Sequence, residues 1–347
     1  MKSNKIKFYD KLEFKYFLEA YKRAIKTKPN RCEKLLFMQD LEVILTNLIE
    51  SIKDNTYHLG EYTSFVIYEP KKRIIRKLPF IDRVVHQWYV EEFIKPYFIP
   101  RFINDSYACI KDRGTLKAVL NVKKDMKIVS RKYSTYYIVK MDIHKYFDSI
   151  DKEILFIILK RVIKDKLLLS FSYKLIYENN EERGLAIGSL CSQYFGNIYL
   201  NELDRYVKFN LKIKYYTRYL DDFIIFTESK DNAVKVYKLI KIFLINKLRL
   251  ELNPKSNYFK SGFGVDFCGY KIHPDYLLIR RRNIKKIKLK IRLYNIGYNI
   301  NIYTSFNGFY SYAKHGKSYK LLKKIYNSIN INLILFILIK LFHIFKI

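Results

Sequence analysis

Apolar residues fall at helical spacing between residues 8 and 53. Phe14, Phe17, Leu18, Tyr21 and Ala24 mark one stripe, and Leu35, Leu36, Leu41, Leu45, Leu48 and Ile52 a second. The period then changes. Thr63-Ser64-Phe65-Val66-Ile67-Tyr68 and Arg73-Ile74-Ile75-Arg76 flank a basic turn at Glu69-Pro70-Lys71-Lys72, which predicts two strands over 62–78. A long helix is predicted from Pro79 to Phe98, with Val84, Val85, Trp88, Tyr89 and Phe93 inward. Further helices are predicted over 151–169, 193–211 (with Ile198, Leu200 and Leu203 inward) and 231–248. Strand-like runs lie at Tyr136–Met141, at Tyr216–Tyr219, at Phe223–Phe226, and at Phe267–Ile272, where Gly269 permits close backbone approach. From Arg280 the pattern is helical and basic, and the shift in composition near Pro274 marks a boundary. Together these elements predict an α+β protein.

Composition narrows the class. A chain of 347 residues with 49% apolar content can bury a large core, divided over subdomains. A formal net charge of +33, from 66 Lys+Arg against 33 Asp+Glu, calls for a polyanionic partner, either nucleic acid or an anionic membrane surface. AT-rich coding contributes to this excess but does not place carboxylates. The 32 tyrosines and 25 phenylalanines offer faces on which bases can stack. Cys32, Cys109, Cys191 and Cys268 lie far apart, without zinc-ligand spacing, which predicts reduced thiols and a cytoplasmic protein. Met1-Lys2-Ser3-Asn4-Lys5 does not open a signal peptide. The apolar run Ile331–Ile347 is short for a membrane span and is interrupted by Lys340, His343 and Lys346, so it is expected to form a terminal helix packed on its own domain or on a partner.

The chemistry is concentrated in three carboxylates. Tyr219-Leu220-Asp221-Asp222 joins two β-prone runs in a hairpin signature, and Asp142 ends the upstream strand. An isolated Asp pair is often an ordinary surface turn. If the strands pair, however, Asp142 and Asp221 converge, and converging carboxylates are costly unless cations neutralise them. In so basic a chain, that points to two-metal phosphoryl transfer.

Six blocks in order resemble the reverse transcriptases, and more closely those of diversity-generating retroelements. They are Tyr68-Glu69-Pro70-Lys71-Lys72-Arg73 with Phe80–His86; Asp105-Ser106-Tyr107-Ala108-Cys109 with Arg113-Gly114-Thr115; Met141–Asp151; Gly184–Gln193; Tyr219-Leu220-Asp221-Asp222; and Phe267-Cys268-Gly269-Tyr270. The resemblance covers residues 8 to 325 and implies a right-hand polymerase fold: an N-terminal helical segment (1–60), fingers and palm (61–274), and a basic helical thumb with its tail (275–347).

It also implies roles. Asp142, Ile143, Asp221 and Asp222 form the metal set for two Mg²⁺ ions, with Mn²⁺ a possible substitute. Lys255 matches a general acid for pyrophosphate. Arg73, Phe147, Ile187, Gln193 and Arg113 fall at nucleotide-contacting positions, Phe147 as the aromatic gate against a ribose 2′-hydroxyl. Phe267, Cys268, Gly269 and Tyr270 match the primer grip. Ile187 departs from the Gln that many reverse transcriptases carry, and with Ser192-Gln193 it resembles the diversity-generating group, whose enzymes copy RNA with errors opposite adenine. Asp148 and Asp151 follow the strand and are expected to start a helix.

The implied partners are template RNA, the RNA/DNA duplex, deoxynucleoside triphosphates and a small basic accessory protein, with no membrane and a bacterial or phage cytoplasm as setting. No RNase H acidic cluster, exonuclease carboxylate set or zinc endonuclease is evident. Two alternatives share these features: a retron or phage-defence reverse transcriptase, and a catalytically silent RNA-binding scaffold. Intact Asp142, Asp221 and Asp222 argue against the second.

Overall fold

In the chain order of the computed structural model, three helices come first, α1 (Phe14–Ala24), α2 (Arg31–Gln39) and α3 (Leu41–Lys53). Strands β1 (Thr63–Ile67) and β2 (Arg73–Lys77) follow, then α4 (Phe80–Tyr89), α5 (Lys95–Phe98) and α6 (Thr115–Lys132). Next come β3 (Tyr137–Met141), α7 (Tyr146–Ser149), α8 (Lys152–Val162), α9 (Lys166–Ile176) and α10 (Leu190–Arg205). After these lie β4 (Tyr216–Tyr219), β5 (Asp222–Thr227), α11 (Lys230–Leu248), β6 (Asn257–Lys260), β7 (Val265–Phe267), β8 (Tyr270–Ile272), β9 (Leu277–Ile279), α12 (Arg281–Asn295), α13 (Ile302–Ala313) and α14 (Tyr319–Asn327). The structure describes residues 6–27, 31–68, 72–177 and 181–329. Glu69, Pro70 and Lys71 of the basic turn and the apolar run 331–347 lie outside the described residues.

The strands form a hairpin β1–β2, a four-stranded sheet in the order β4–β5–β3–β6, and a three-stranded sheet β7–β8–β9. The chain divides into two compact units. One comprises Met1–Gly114, Lys140–Phe223 and Val234–Asn257; the other comprises Thr115–Val139, Ile224–Ala233 and Tyr258–Ile347.

In the first unit α1 buries Phe17, Ala20, Tyr21 and Ala24. Of the expected stripe, Phe17, Tyr21 and Ala24 are buried, Leu18 is half-buried and Phe14 is left exposed. Phe17 stacks on Trp88 of α4 with ring centroids 4.7 Å apart, and the Trp88 indole Nε1 donates to the Lys11 carbonyl at 2.7 Å. Phe8, Phe93 and Phe171 pack around the same indole. Buried aromatic pairs of this kind add about 0.5–1.5 kcal/mol each beyond area burial. In the second unit Ile287 and Ile291 of α12 and Phe306 and Phe309 of α13 are buried, while the outer face of α12 carries Arg281, Arg282, Lys285, Lys286 and Lys288.

Several predicted elements differ in form. The helix expected over 79–98 is interrupted at 90–94 by a wider π-helical turn. Pro96, in the first turn of α5, has no N–H to continue the regular ladder. The helix expected over 151–169 is two helices, because the Asp165 carboxylate caps a new one, accepting from the Leu167 and Leu168 amides at 2.9 and 3.0 Å. The strand expected over 267–272 is a hairpin. Phe267 pairs with Tyr270, and Cys268 and Gly269 turn the chain with φ of +45° and +89°. Asp151 caps α8 as expected, accepting from the Ile154 amide at 3.1 Å, whereas Asp148 sits within the short α7.

Candidate active site

β3 delivers Asp142 at its C-terminal end, and the loop after α11 receives it. The Asp142 amide donates to Ser256 Oγ at 3.0 Å, and Ser256 Oγ–H donates back to the Asp142 carbonyl at 3.0 Å. The Asn253 amide also donates to that carbonyl at 2.8 Å, while its side-chain Nδ2 donates to Asp142 Oδ2 at 3.1 Å. Hydrogen bonds of this kind contribute about 1 kcal/mol each, and those to a carboxylate somewhat more. The carboxylate is therefore held on both its backbone and its head. Asn253 and Ser256 went unnoticed in the sequence; the Asn253-Pro254 turn signal was available, but nothing local marks Ser256.

The opposing carboxylates come from the β4–β5 turn. Leu220 occupies the left-handed region at φ +53°, which turns the chain within two residues and leaves Asp221 at the tip and Asp222 at the start of β5. Burial, and then the adjacent Asp142 carboxylate, push Asp221 above the usual carboxylate range; Arg73 opposes this. Asp222 is pushed up to about 7, mainly by burial and against the pull of Lys140, whose Nζ lies 3.5 Å from Oδ2. Its buried Oδ1 has no hydrogen-bond partner.

Among the described residues no set of three or more His, Cys, Asp or Glu side chains forms a ready metal cage. The donor chemistry nevertheless fits a hard divalent cation. Asp142 and Asp221 repel each other in a way a cation would relieve, and Asp222 offers an unsatisfied buried oxygen. Ile143, which pairs with Leu252, has no donor in its side chain, so only its carbonyl can take part.

Both raised aspartates bind protons in the folded chain at pH values where the unfolded chain, with Asp near 3.9, has released them. Stability of the metal-free protein should therefore fall as pH rises from about 4 to about 7. In a chelator, thermal midpoints are expected to be higher near pH 5.5 than near pH 8. The protein carrying both Asp221→Asn and Asp222→Asn should lose that slope. Parallel slopes in the two proteins would contradict the electrostatic picture.

The nucleotide-side residues are arranged around α10. The Arg76 amide of β2 donates to the Ile187 carbonyl at 2.9 Å, fixing the strand that carries exposed Arg73 to the turn before α10. Phe147 sits beside Tyr146, and the two rings pack against Gly196, where an added Cβ would lie 3.2 Å from Tyr146 and 3.4 Å from Phe147. Half-buried Gln193 receives the Cys109 thiol at 3.5 Å and lines a cavity of about 420 Å³ with Gly188, Arg76 and His86.

Arg113 Nη1 donates to the Ile103 and Ser106 carbonyls at 2.7 and 2.6 Å, so this nitrogen ties its own loop together. Lys255 is exposed, and its amide donates to Asn253 Oδ1 at 3.0 Å, placing it one residue link from the clamp on Asp142. Phe267, Cys268, Gly269 and Tyr270 form their hairpin in the second compact unit. Cys109, Cys191 and Cys268 are not disulfide-bonded. No described helix is long and apolar enough to cross a membrane.

Residues 68–272 match the sequence model of the family described as "Reverse transcriptase (RNA-dependent DNA polymerase)". The chain belongs to the reverse transcriptase family. The α+β architecture is accordingly the right-hand polymerase fold of that family. The group II intron-encoded protein LtrA of Lactococcus lactis subsp. cremoris is 22% identical over 303 residues, covering 66% of this chain and 49% of that protein. The chain thus spans about half the length of this curated relative. Apo telomerase from Candida tropicalis, truncated from its C-terminal domain, overlaps with a TM-score of 0.46 at 14% identity, over 63% of this chain and 56% of the other. Telomerase from Candida albicans in complex with a TWJ fragment of telomeric RNA overlaps with a TM-score of 0.47 at 10% identity, over 80% and 60%. These structural overlaps are partial, and membership rests on the sequence match.

Proposed function

We propose that this protein is an RNA-directed DNA polymerase that extends a primer 3′-hydroxyl with deoxynucleoside triphosphates on an RNA template. One observation carries the reading: strands distant in sequence bring Asp142 and Asp221 together, with the Arg73 guanidinium close enough to act on the Asp221 charge. Asp142 and Asp221, supported by Asp222, would hold two divalent metals, Mg²⁺ or in its place Mn²⁺, which lower the pKa of the attacking hydroxyl and neutralise the leaving pyrophosphate. The Asn253–Ser256 clamp fixes Asp142 before substrate arrives, so little reorganisation is needed at the reacting centre. Arg73 offers a planar fork to triphosphate oxygens. Phe147, braced by Tyr146 and Gly196, would exclude a ribose 2′-hydroxyl, and Lys255 would give a proton to pyrophosphate. The basic outer face of α12 and the Phe267–Tyr270 hairpin would follow the backbone of the RNA/DNA duplex.

The finer setting we propose is mutagenic copying of a template RNA, with a small basic accessory protein, in a diversity-generating retroelement. Support comes from the resemblance: Ile187 stands where many reverse transcriptases carry Gln, at the turn whose backbone bonds to β2. Losing a polar contact lowers the share of binding energy that depends on correct pair geometry. Sequencing cDNA copied from an RNA containing all four bases should show errors concentrated at template adenine. Ile187→Gln is expected to reduce them by about tenfold. Uniformly accurate copying by the unaltered protein would move the biology to a retron or defence enzyme.

A further inference from the structure

Under the Asp221–Asp222 turn lies an ion pair that no part of the proposed chemistry uses. Arg218 and Asp204 both have side chains of 0% exposure. Arg218 Nε donates to Asp204 Oδ1 at 2.7 Å and Nη2 to Asp204 Oδ2 at 2.5 Å, a bidentate fork. The same carboxylate accepts from the Tyr216 hydroxyl at 2.6 Å. The third nitrogen, Nη1, divides between Asn197 Oδ1 at 3.1 Å and the Leu220 carbonyl at 3.0 Å. Leu220 is the residue in the left-handed region that aims Asp221.

The Arg218 main chain is fixed as well. Its amide donates to the Asp105 carbonyl at 2.9 Å, and its carbonyl accepts from Tyr107 at 3.0 Å. Asn197 in turn donates to the Ala108 carbonyl at 2.8 Å. One guanidinium thus ties the metal-facing turn to α10, the helix that also carries Gln193 and Gly196.

We propose that Arg218 is a positioning residue: paired with Asp204, it holds the Leu220 carbonyl and so sets the placement of the Asp221 and Asp222 carboxylates for divalent-metal binding. A buried ion pair is weak evidence for stability, because desolvation offsets much of the attraction, and such pairs are better explained where they impose geometry. Here the geometry imposed is that of a strained turn. Leucine does not favour positive φ, and a donor aimed at its carbonyl opposes relaxation of the turn. Lysine keeps the charge but is a point donor and cannot reach Asp204, Asn197 and Leu220 together.

The inference rests on the proposed polymerase site, and its test reads metal binding apart from activity. Mn²⁺ affinity is measured by electron paramagnetic resonance on the full chain, alongside single-nucleotide extension kinetics, for the unaltered protein, Arg218→Lys and Asn197→Ala. Circular dichroism and duplex binding establish folding. In Arg218→Lys we expect Mn²⁺ affinity to fall by about fivefold or more, kcat by about twentyfold or more, and the nucleotide KM to stay within about twofold.

Asn197→Ala keeps the ion pair but removes the second acceptor that steers Arg218 Nη1 toward the Leu220 carbonyl, so both quantities should fall together there, by about two- to fivefold. It keeps the inference testable if Arg218→Lys does not fold. A folded Arg218→Lys protein with unaltered Mn²⁺ affinity would overturn the inference, as would variants in which kcat falls without Mn²⁺ affinity. If the unaltered protein fails to extend a primer, the polymerase reading fails, while the Mn²⁺ comparison still decides the role of Arg218.

Discussion

Asp221→Asn is expected to reduce single-turnover primer extension by about a thousandfold or more while leaving RNA/DNA duplex affinity within about twofold. The substitution keeps the shape of the side chain and removes one negative charge. In the metal-free protein that charge is unfavourable, since burial and the neighbouring Asp142 hold the Asp221 pKa above its ordinary value. The variant should therefore be at least as thermally stable as the parent at pH 8. Loss of activity with unchanged or increased stability is the signature of a group retained for chemistry at the expense of the fold. Duplex affinity should persist, because the phosphate contacts assigned to Arg281, Arg282, Lys285, Lys286 and Lys288 are untouched. A variant that loses extension in vitro yet keeps the protein's function in cells would favour the RNA-binding scaffold.

Gly188→Val should have the second-largest effect, and through the fingers instead of the metals. Gly188 has φ of +115°, outside the range of side-chain-bearing residues. A Cβ there would lie 2.8 Å from the Arg76 carbonyl oxygen and 3.0 Å from Ile75 Cγ2. The nearer contact is backbone, so relief requires β2 to move away from the turn, and β2 carries Arg73. The Arg76–Ile187 hydrogen bond would be lost with it. We expect kcat/KM for incoming nucleotide to drop by about a hundredfold, mostly through KM, with Mn²⁺ affinity preserved because the added Cβ meets Arg76 and Ile75 and none of the Asp142, Asp221 or Asp222 side chains. Steady-state kinetics at varied nucleotide concentration separate the two parameters. An unchanged KM would mean that β2 does not present Arg73 to the nucleotide.

Much of this was legible from residue order, for identifiable reasons. Asp142 and Asp221 each end a strong β-prone run, and side chains at strand ends can be placed from pattern alone. The α1 and α4 stripes around Phe17 and Trp88 follow a clean helical period. What escaped the pattern depends on tertiary partners. Nothing local announces that Arg113 Nη1 bonds to the Ile103 and Ser106 carbonyls. Asp165 is an ordinary polar residue within an apolar run until its carboxylate caps α9. Cys268 reads as strand, because a two-residue turn with positive φ is marked only by Gly269. Asn253 and Ser256 act on a residue more than 110 positions away, at sequence separations of 111 and 114, and no local rule reaches that far. Arg218 and Asp204 are two charges among 99 in the chain (66 basic and 33 acidic), and only their complete burial singles them out.

The most direct measurement is extension of a DNA primer annealed to a defined RNA template, by the purified chain with Mg²⁺ and all four deoxynucleoside triphosphates, beside the Asp142→Asn protein. The account requires templated, Mg²⁺-dependent extension that chelator stops and that Asp142→Asn lacks despite binding the duplex. Absence of extension by the unaltered protein even with the proposed template RNA and accessory protein added, or equal extension by Asp142→Asn, would contradict the assignment of this carboxylate pair as a polymerase centre.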